Sequence, residues 1–392
     1  MKHQQLEPKN IILLFAIFAI SLNMRPAITS IGPMLETIRD ELSLTNTQVS
    51  LLTALPVIGM GVFASLAPIL NRRLGLRKTM YLMILLVGMM TALRGFLEGY
   101  FILLGTALVI GIAIAVIGPL LSAMIKQNFP ERAASVIGLY SFGMGMGATI
   151  SAGLTAVFFE ATDSYRFALS IWGLLALIGW TAWFFVGKGK WTVRQQEARE
   201  RKGRGRSPWK VRQAWLFLLF FGLQSSAFFS IMTWMVPLAM ASGMSLLQAG
   251  TLLSVMTTFQ IVLNIALPLL MQRYPARRNW IWFLAGSGMA ATALLWTGLQ
   301  PAMWFGAFLM GFPLGGLFPI ALLLPLDETE TGEETNSWTA MMQTGGFIIG
   351  GLLPLLIAMV YDWTVNHHFT YAIILSLYTT MAVIAFLIGD RD

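Results

Sequence analysis

Twelve apolar runs, each about long enough to cross a bilayer, follow one another through this chain of 392 residues. A hydrocarbon core of about 30 Å takes roughly 20 mostly apolar residues as a helix. Cutting the sequence at charged or turn-rich segments gives runs at 10–34, 47–70, 79–97, 100–125, 134–159, 166–186, 213–240, 248–271, 280–298, 301–326, 337–360 and 369–388. Only 11% of the residues are charged and 56% are hydrophobic, where a soluble domain carries about a quarter charged. Water alone is therefore not the solvent, and the expected fold is an all-α integral membrane protein with twelve transmembrane helices.

The net charge of +8 lies between the apolar runs and not along a soluble face, so it reads as membrane topology and no nucleic-acid partner is expected. Lysine and arginine are retained on the cytoplasmic side. Segment 71–78 holds four of them, 273–278 holds Arg273, Arg277 and Arg278, and 187–212 holds ten against two acids. An even number of spans with both termini inside puts all three in the cytoplasm of a cell-membrane protein. The acidic stretch 327–334 falls on the same side, which the rule tolerates because it is nearly indifferent to acids. Ile11 to Ile20 continues through Arg25 and Pro26 without a small-residue cleavage pattern, so it reads as the first span and not a signal peptide. The absence of cysteine excludes disulfides and thiolate sites. No cofactor or metal is expected.

The basic stretch 187–212 divides the chain into an N-terminal six-helix bundle (1–186), a cytoplasmic linker and a C-terminal six-helix bundle (213–392). Pro68 and Arg73 close the second run at the spacing at which Pro268 and Arg273 close the eighth. Gly118-Pro119 is echoed by Phe318-Pro319, and Gly143, Gly145 and Gly147 by Gly345, Gly346, Gly350 and Gly351. Paired halves imply pseudo-twofold symmetry and alternating access about a central site. Small residues give the smooth helix contacts that rocking bundles need, which makes Gly143 and Gly147 conformational candidates. The linker suits an anionic inner leaflet, with Trp191 and Trp209 as interface anchors.

Arg25 is the strongest single clue. It lies about 21 Å into the first run at 1.5 Å per residue, where an arginine faces a polar cavity, a partner or the interface. Asn23 and Thr29 add polar groups nearby, and Thr29 shares the helix face of Arg25. Arg94 reaches a similar height, about 22 Å along the third run, either paired with Glu98 at i+4 or clamping an anion. Gln224, Gln260, Asn264 and Gln343 are amides in the second half, able to donate and accept. Phe228, Phe229, Trp234 and Trp338 are candidates for an aromatic wall. Glu36 and Glu98, at outer ends, are the weak candidates for ion coupling, since no acid lies deep in a run. No GxxxxGK[ST] phosphate loop is present to support ATP-driven pumping.

The six-plus-six arrangement, with its basic segment after the second run, resembles the major facilitator superfamily. That family's signature Gly-x-Leu-Ala-Asp-Arg-x-Gly-Arg-Arg/Lys is met by Arg73 and Gly75, with Arg77-Lys78 one position late and Arg72 where the aspartate stands. These four matching residues are the gating candidates the resemblance implies. The helix-four arginine of proton antiporters is absent from 101–124. The stretch Leu22-Asn23-Met24-Arg25-Pro26-Ala27-Ile28-Thr29-Ser30-Ile31-Gly32-Pro33, with Leu51-Leu52-Thr53-Ala54-Leu55-Pro56, is similar to the cyanate and 2-nitroimidazole transporter branch. The resemblance implies a secondary transporter for a small anion or compact polar solute, with Arg25 at the site; one chain holds both halves, so a monomer suffices, and the sequence displays no cluster of acids, histidines or nucleophiles at one depth to suggest an enzyme. A non-transporting sensor or structural protein on the same fold, and a proton-coupled exporter of neutral heterocycles, are the alternatives.

Overall fold

The structure, a computed structural model, describes residues 8–129, 132–186, 207–274, 276–329 and 332–388. The first apolar run forms α1 (Pro8–Met24), α2 (Pro26–Thr29), a 3-10 turn at Gly32–Met34 and α3 (Leu35–Glu41). The membrane-length stretch thus runs from Asn10 to Glu41, past the expected end at 34, because Leu35 and Ile38 are buried apolar residues of the continuing helix.

The second and third runs differ more from expectation. Helix α4 (Asn46–Val62) starts at a capping box in which the Thr45 hydroxyl accepts from the Gln48 N–H at 3.1 Å and the Thr45 N–H donates to Gln48 Oε1 at 2.8 Å. After a turn at 63–65, α5 (Leu66–Leu93) is helical through the basic segment expected as a loop. Its one non-helical residue is Gly75, at φ +75° and ψ 158°. That is a conformation L side chains rarely adopt, so the corner sits at a glycine. Arg72, Arg73, Arg77 and Lys78 around it are exposed.

The other helices keep close to the apolar runs. They are α6 (Tyr100–Asn128), α7 (Ala133–Thr162), α8 (Tyr165–Ser170), α9 (Leu174–Val186), α10 (Arg212–Ala241), α11 (Leu246–Arg273), α12 (Arg277–Trp296), α13 (Gln300–Glu328), α14 (Gly332–Thr364) and α15 (His368–Ile388). Ten stretches among the described residues are long and apolar enough to cross a membrane. Helix α4, with 17 residues, and α12, which opens on Arg277-Arg278-Asn279, are not among the ten. The protein is therefore an all-α, multi-spanning membrane protein. Most of the linker, including Trp191, lies outside the described residues.

Helix α1 packs on α7 and α9, α6 on α4 and α5, α10 on α14 and α15, and α13 on α11 and α12. Two long seams join these groups: α4 lies along α14, and α7 along α11. Close approach depends on missing side chains. A Cβ on Gly147 would stand 2.2 Å from the Leu22 carbonyl oxygen, and one on Gly143 2.1 Å from Ser21 Oγ.

The α4–α14 seam ends in a carboxylate clamp. One oxygen of Asp362 accepts from the Asn46 N–H at 3.0 Å and Nδ2 at 2.8 Å. The other accepts from the Thr47 N–H at 2.8 Å and hydroxyl at 2.5 Å. These backbone donors belong to the first turn of α4, which has no partners within its own helix, and a negative charge there is favourable. Arg39 Nη1 holds the Asn46 side chain from the other side at 3.2 Å. Next to the clamp, His367 stacks on Tyr361 at 4.0 Å, and Trp234 donates from Nε1 to the Pro354 carbonyl at 3.1 Å.

This packing sets two expected outcomes. Gly147→Ala is expected to destabilise the protein by roughly 1–3 kcal/mol as an overpacked contact, whereas Gly105→Ala, with open space around its Cβ inside a helix, leaves thermal unfolding in detergent unchanged or raises it slightly. Burial, reinforced by the charges of Arg39 and His368, pulls the pKa of His367 down to about 4. The unfolded chain, with His near 6.5, then binds more protons, so this residue's contribution is full above pH 6.5 and is lost as pH falls towards 4. His367→Phe, which keeps a stacking ring, should flatten the pH dependence of the unfolding temperature in that window.

Candidate functional site

The break in the first span begins with chemistry local to Pro26. Proline has no N–H, so the Leu22 carbonyl loses its helical partner, and this is the carbonyl that lies against the side-chain-free face of Gly147. The Arg25 carbonyl gathers three donors instead: the N–H groups of Ile28 and Thr29, and the Thr29 hydroxyl, each at 2.9 Å. Thr29 also shares a 2.7 Å hydrogen bond with Ser151 of α7. The segment is pinned on its backbone, which leaves the Arg25 side chain free to project.

It projects into a cavity between the two groups of helices. Ser141, Met144, Gly145 and Ala148 line it from α7, Gln224, Ser225, Phe228 and Phe229 from α10, and Gln260 and Asn264 from α11. Leu314 and Phe318 of α13 and Phe347 of α14 complete the wall. Its open volume is about 30 Å³, room for roughly two waters when one needs about 10–15 Å³. Among the described residues, no carboxylate lines it. The Arg25 guanidinium sits 4.8 Å from the centroid of Phe228 and 5.3 Å from that of Phe229, and its Nη1 is buried without a hydrogen-bond partner. Gln260 Oε1 and Asn264 Oδ1 are likewise buried and unsatisfied. A larger groove of about 660 Å³ between α1 and α9 is lined almost wholly by apolar side chains such as Phe15 and Leu177. Its one polar side chain among the described lining is Thr181, too little to orient a polar solute.

Of the residues singled out from sequence, Arg25, Gln224, Gln260 and Asn264 come together on this cavity, and Phe228 and Phe229 join them. Asn23, Thr29, Arg94 and Gln343 do not line it. Asn23 and Thr29 are buried beside the break. Trp234 and Trp338 are buried away from the lining, with Trp338 tilted against Phe217. Glu36 on α3 is half-buried outside the cavity. Ser141, Met144, Phe318 and Phe347 line the wall without having been anticipated. The glycine clusters at 143–147 and 345–351 were the only signals near two of them.

Arg94 corrects the expected i+4 pair. Glu98 pairs with Arg166 instead, while Arg94, only 1% exposed, donates from Nη1 to the Ala27 carbonyl at 2.7 Å and from Nε to the Thr106 hydroxyl at 3.2 Å. Thr106 passes the bond on to the Leu103 carbonyl at 2.8 Å. The Ala27 carbonyl is available because Ile31 N–H, its partner in a regular helix, bonds to Ile28 at 3.3 Å. Arg94 therefore braces the broken span.

A helical membrane protein whose internal cavity holds a half-buried cation, amides and aromatic rings has the form of a solute transporter. The chain matches the Major Facilitator Superfamily over residues 11–354, and it belongs to that family. It is 30% identical over 367 residues to the uncharacterized transporter YycB of Bacillus subtilis (strain 168), covering 93% of this chain and 89% of that one. The cyanate transport protein CynX of Escherichia coli (strain K12) is 29% identical, with 87% and 88% covered. The 2-nitroimidazole transporter of the same organism is 27% identical, with 90% and 88% covered. The solved nucleoside transporter NupG shares the fold at a TM-score of 0.72 and 13% identity, covering 97% of this chain and 98% of that one. The function of the chain is thus secondary transport of a small solute, without enzymatic conversion.

Removing the brace tests its structural role. Arg94→Met leaves the Ala27 carbonyl buried and unpaired, an expected loss of about 1–3 kcal/mol in detergent unfolding, with Arg94→Lys recovering part of it. Loss of solute affinity with unfolding unchanged would mark a direct contact instead.

Proposed function

We propose that this protein is a cell-membrane transporter for a small anion or compact polar organic solute, working by alternating access, with Arg25 as the principal solute contact. The observation that carries this reading is the Arg25 guanidinium, which faces the cavity with its Nη1 buried and unpaired and with no carboxylate among the described lining. Burying a cation without a counter-charge is expensive, and an anionic or acceptor-bearing solute would supply the missing partner. Gln224, Gln260 and Asn264 would orient the same solute. Relatives that carry cyanate and 2-nitroimidazole support assignment to that branch. The phenylalanines around the cavity favour a second reading, export of a planar neutral heterocycle that accepts hydrogen bonds from Arg25.

The architecture we infer is twelve spans in two six-helix bundles, 1–186 and 213–392. Helix α4 with the first part of α5 supplies the second span, and α12 the ninth. Support comes from the packing, in which each pair in one bundle has its positional counterpart in the other. Both termini would be cytoplasmic, with the basic linker on the anionic leaflet and one chain sufficient for the cycle. The corner at Gly75, with Arg73, Arg77 and Lys78, would flex as the bundles rock, and the Gly143 and Gly147 contacts would slide. Neither Glu36 nor Glu98 touches the cavity, so the proposed cycle assigns no proton to them.

The test is binding of cyanate, other small anions and 2-nitroimidazole to the purified protein. Arg25→Ala is expected to weaken an anion by about 10- to 100-fold, the worth of a hydrogen bond to a charged group, and Asn264→Leu to weaken it less. Binding and flux of every compound unchanged by Arg25→Ala would overturn the role of Arg25.

A further inference from the structure

Arg25 and the rings it rests on stand on opposite sides of the seam. Arg25 belongs to the first span, while Phe228 and Phe229 lie on α10 in the second half. Both rings are buried, 5% and 3% exposed, and they stand edge to face at 5.1 Å and 88°. The guanidinium is thus held against two ring systems in a cavity whose described lining has no anion. A cation over aromatic rings gains most when water is excluded. The rings accept no conventional hydrogen bond, so Nη1 stays available.

An alternating-access carrier passes through its closed state twice in each cycle, once loaded and once empty. In the loaded passage a solute acceptor satisfies Arg25. In the empty passage a bare buried guanidinium would oppose closure, and the protein would return only with a second solute aboard, as an obligatory exchanger. Here the nearly closed cavity already shows Arg25 partnered across the seam by Phe228 and Phe229.

Building on the transport reading above, we propose that Phe228 and Phe229 are positioning residues for the empty return step, standing in for the solute at Arg25, so that the carrier supports net flux as well as exchange. The rings act through the arginine. They attract it without competing for its N–H donors, and an incoming anion displaces them readily.

The experiment reconstitutes the full chain in proteoliposomes and compares two rates for radiolabelled cyanate and 2-nitroimidazole: net efflux into solute-free buffer, and exchange against the same unlabelled solute. Wild type is expected to show both. In Phe228→Leu/Phe229→Leu both rates fall, because the cavity wall changes, but net efflux falls about 30-fold further, the scale of a desolvated cation–π contact. Phe228→Tyr/Phe229→Tyr, which keeps the π faces, restores the ratio. An equal fall in both rates, or tyrosine behaving as leucine, overturns the proposal, as does a wild type that exchanges without net efflux. Should the double leucine variant carry nothing, Phe228→Leu and Phe229→Leu singly are read by the same ratio, and an unchanged ratio in both overturns it. A wild type that moves neither compound in either mode counts against the transport reading itself.

Discussion

Within lipid, backbone polar groups must find partners inside the protein, and the broken first span shows how much of the structure that demand organises. Pro26 cannot donate to the Leu22 carbonyl, so that oxygen turns to the bare face of Gly147. The Arg25 carbonyl collects three local donors, and the Ala27 carbonyl takes one from Arg94 across the bundle. The result is a rigid kink in the middle of a membrane helix, stabilised on every side except the one where the Arg25 side chain enters the cavity. Two breaks in the helical ladder, the missing N–H of Pro26 and the turn of Ile31 onto Ile28, thus bring the Gly147 face and the buried Arg94 to the segment that carries Arg25 into the cavity.

Much of this was legible in the chain. Apolar runs set the helices to within a few residues from α6 onward, and the depth of Arg25 pointed to the cavity before any geometry was known. Where the reading departed from the structure, the reason is local. Segment 71–78 looked like a loop because it is polar, yet polar residues at a membrane surface remain helical, and a single glycine with positive φ makes the corner. Arg94 and Glu98 have ideal i+4 spacing, but the helix ends at Leu93, so the spacing loses its meaning and each finds a different partner. Gln343 and Gln260 were indistinguishable as single amides in apolar runs. Only the rotation of each helix about its axis separates them, and a helix that is apolar both where it meets its neighbours and where it meets lipid has too little periodicity to encode it.

In the proposed site the amides and the arginine would divide the recognition chemistry between the halves. Arg25 supplies a permanent charge from one side, and Gln224, Gln260 and Asn264 supply uncharged donors and acceptors from the other. A solute seated among them would touch both halves at once. Gly315, whose Cβ would stand 2.3 Å from the Gln260 carbonyl oxygen, lets α13 lie directly on the backbone that carries one of those amides, fixing its height relative to Phe318.

The carboxylate clamp at Asp362 has a mechanical corollary. Four hydrogen bonds tie the start of α4 to the end of α14, whereas across the α7–α11 seam Ser254 reaches the Thr149 carbonyl only at a long 3.5 Å. The two seams are joined by unlike means, directed hydrogen bonds at one and close packing of Gly153 on Ser254 at the other. In the proposed cycle, parting the halves there would break directed hydrogen bonds along one edge and slide packed small residues along the other, so the entrance would widen from one flank as a door does on its hinge.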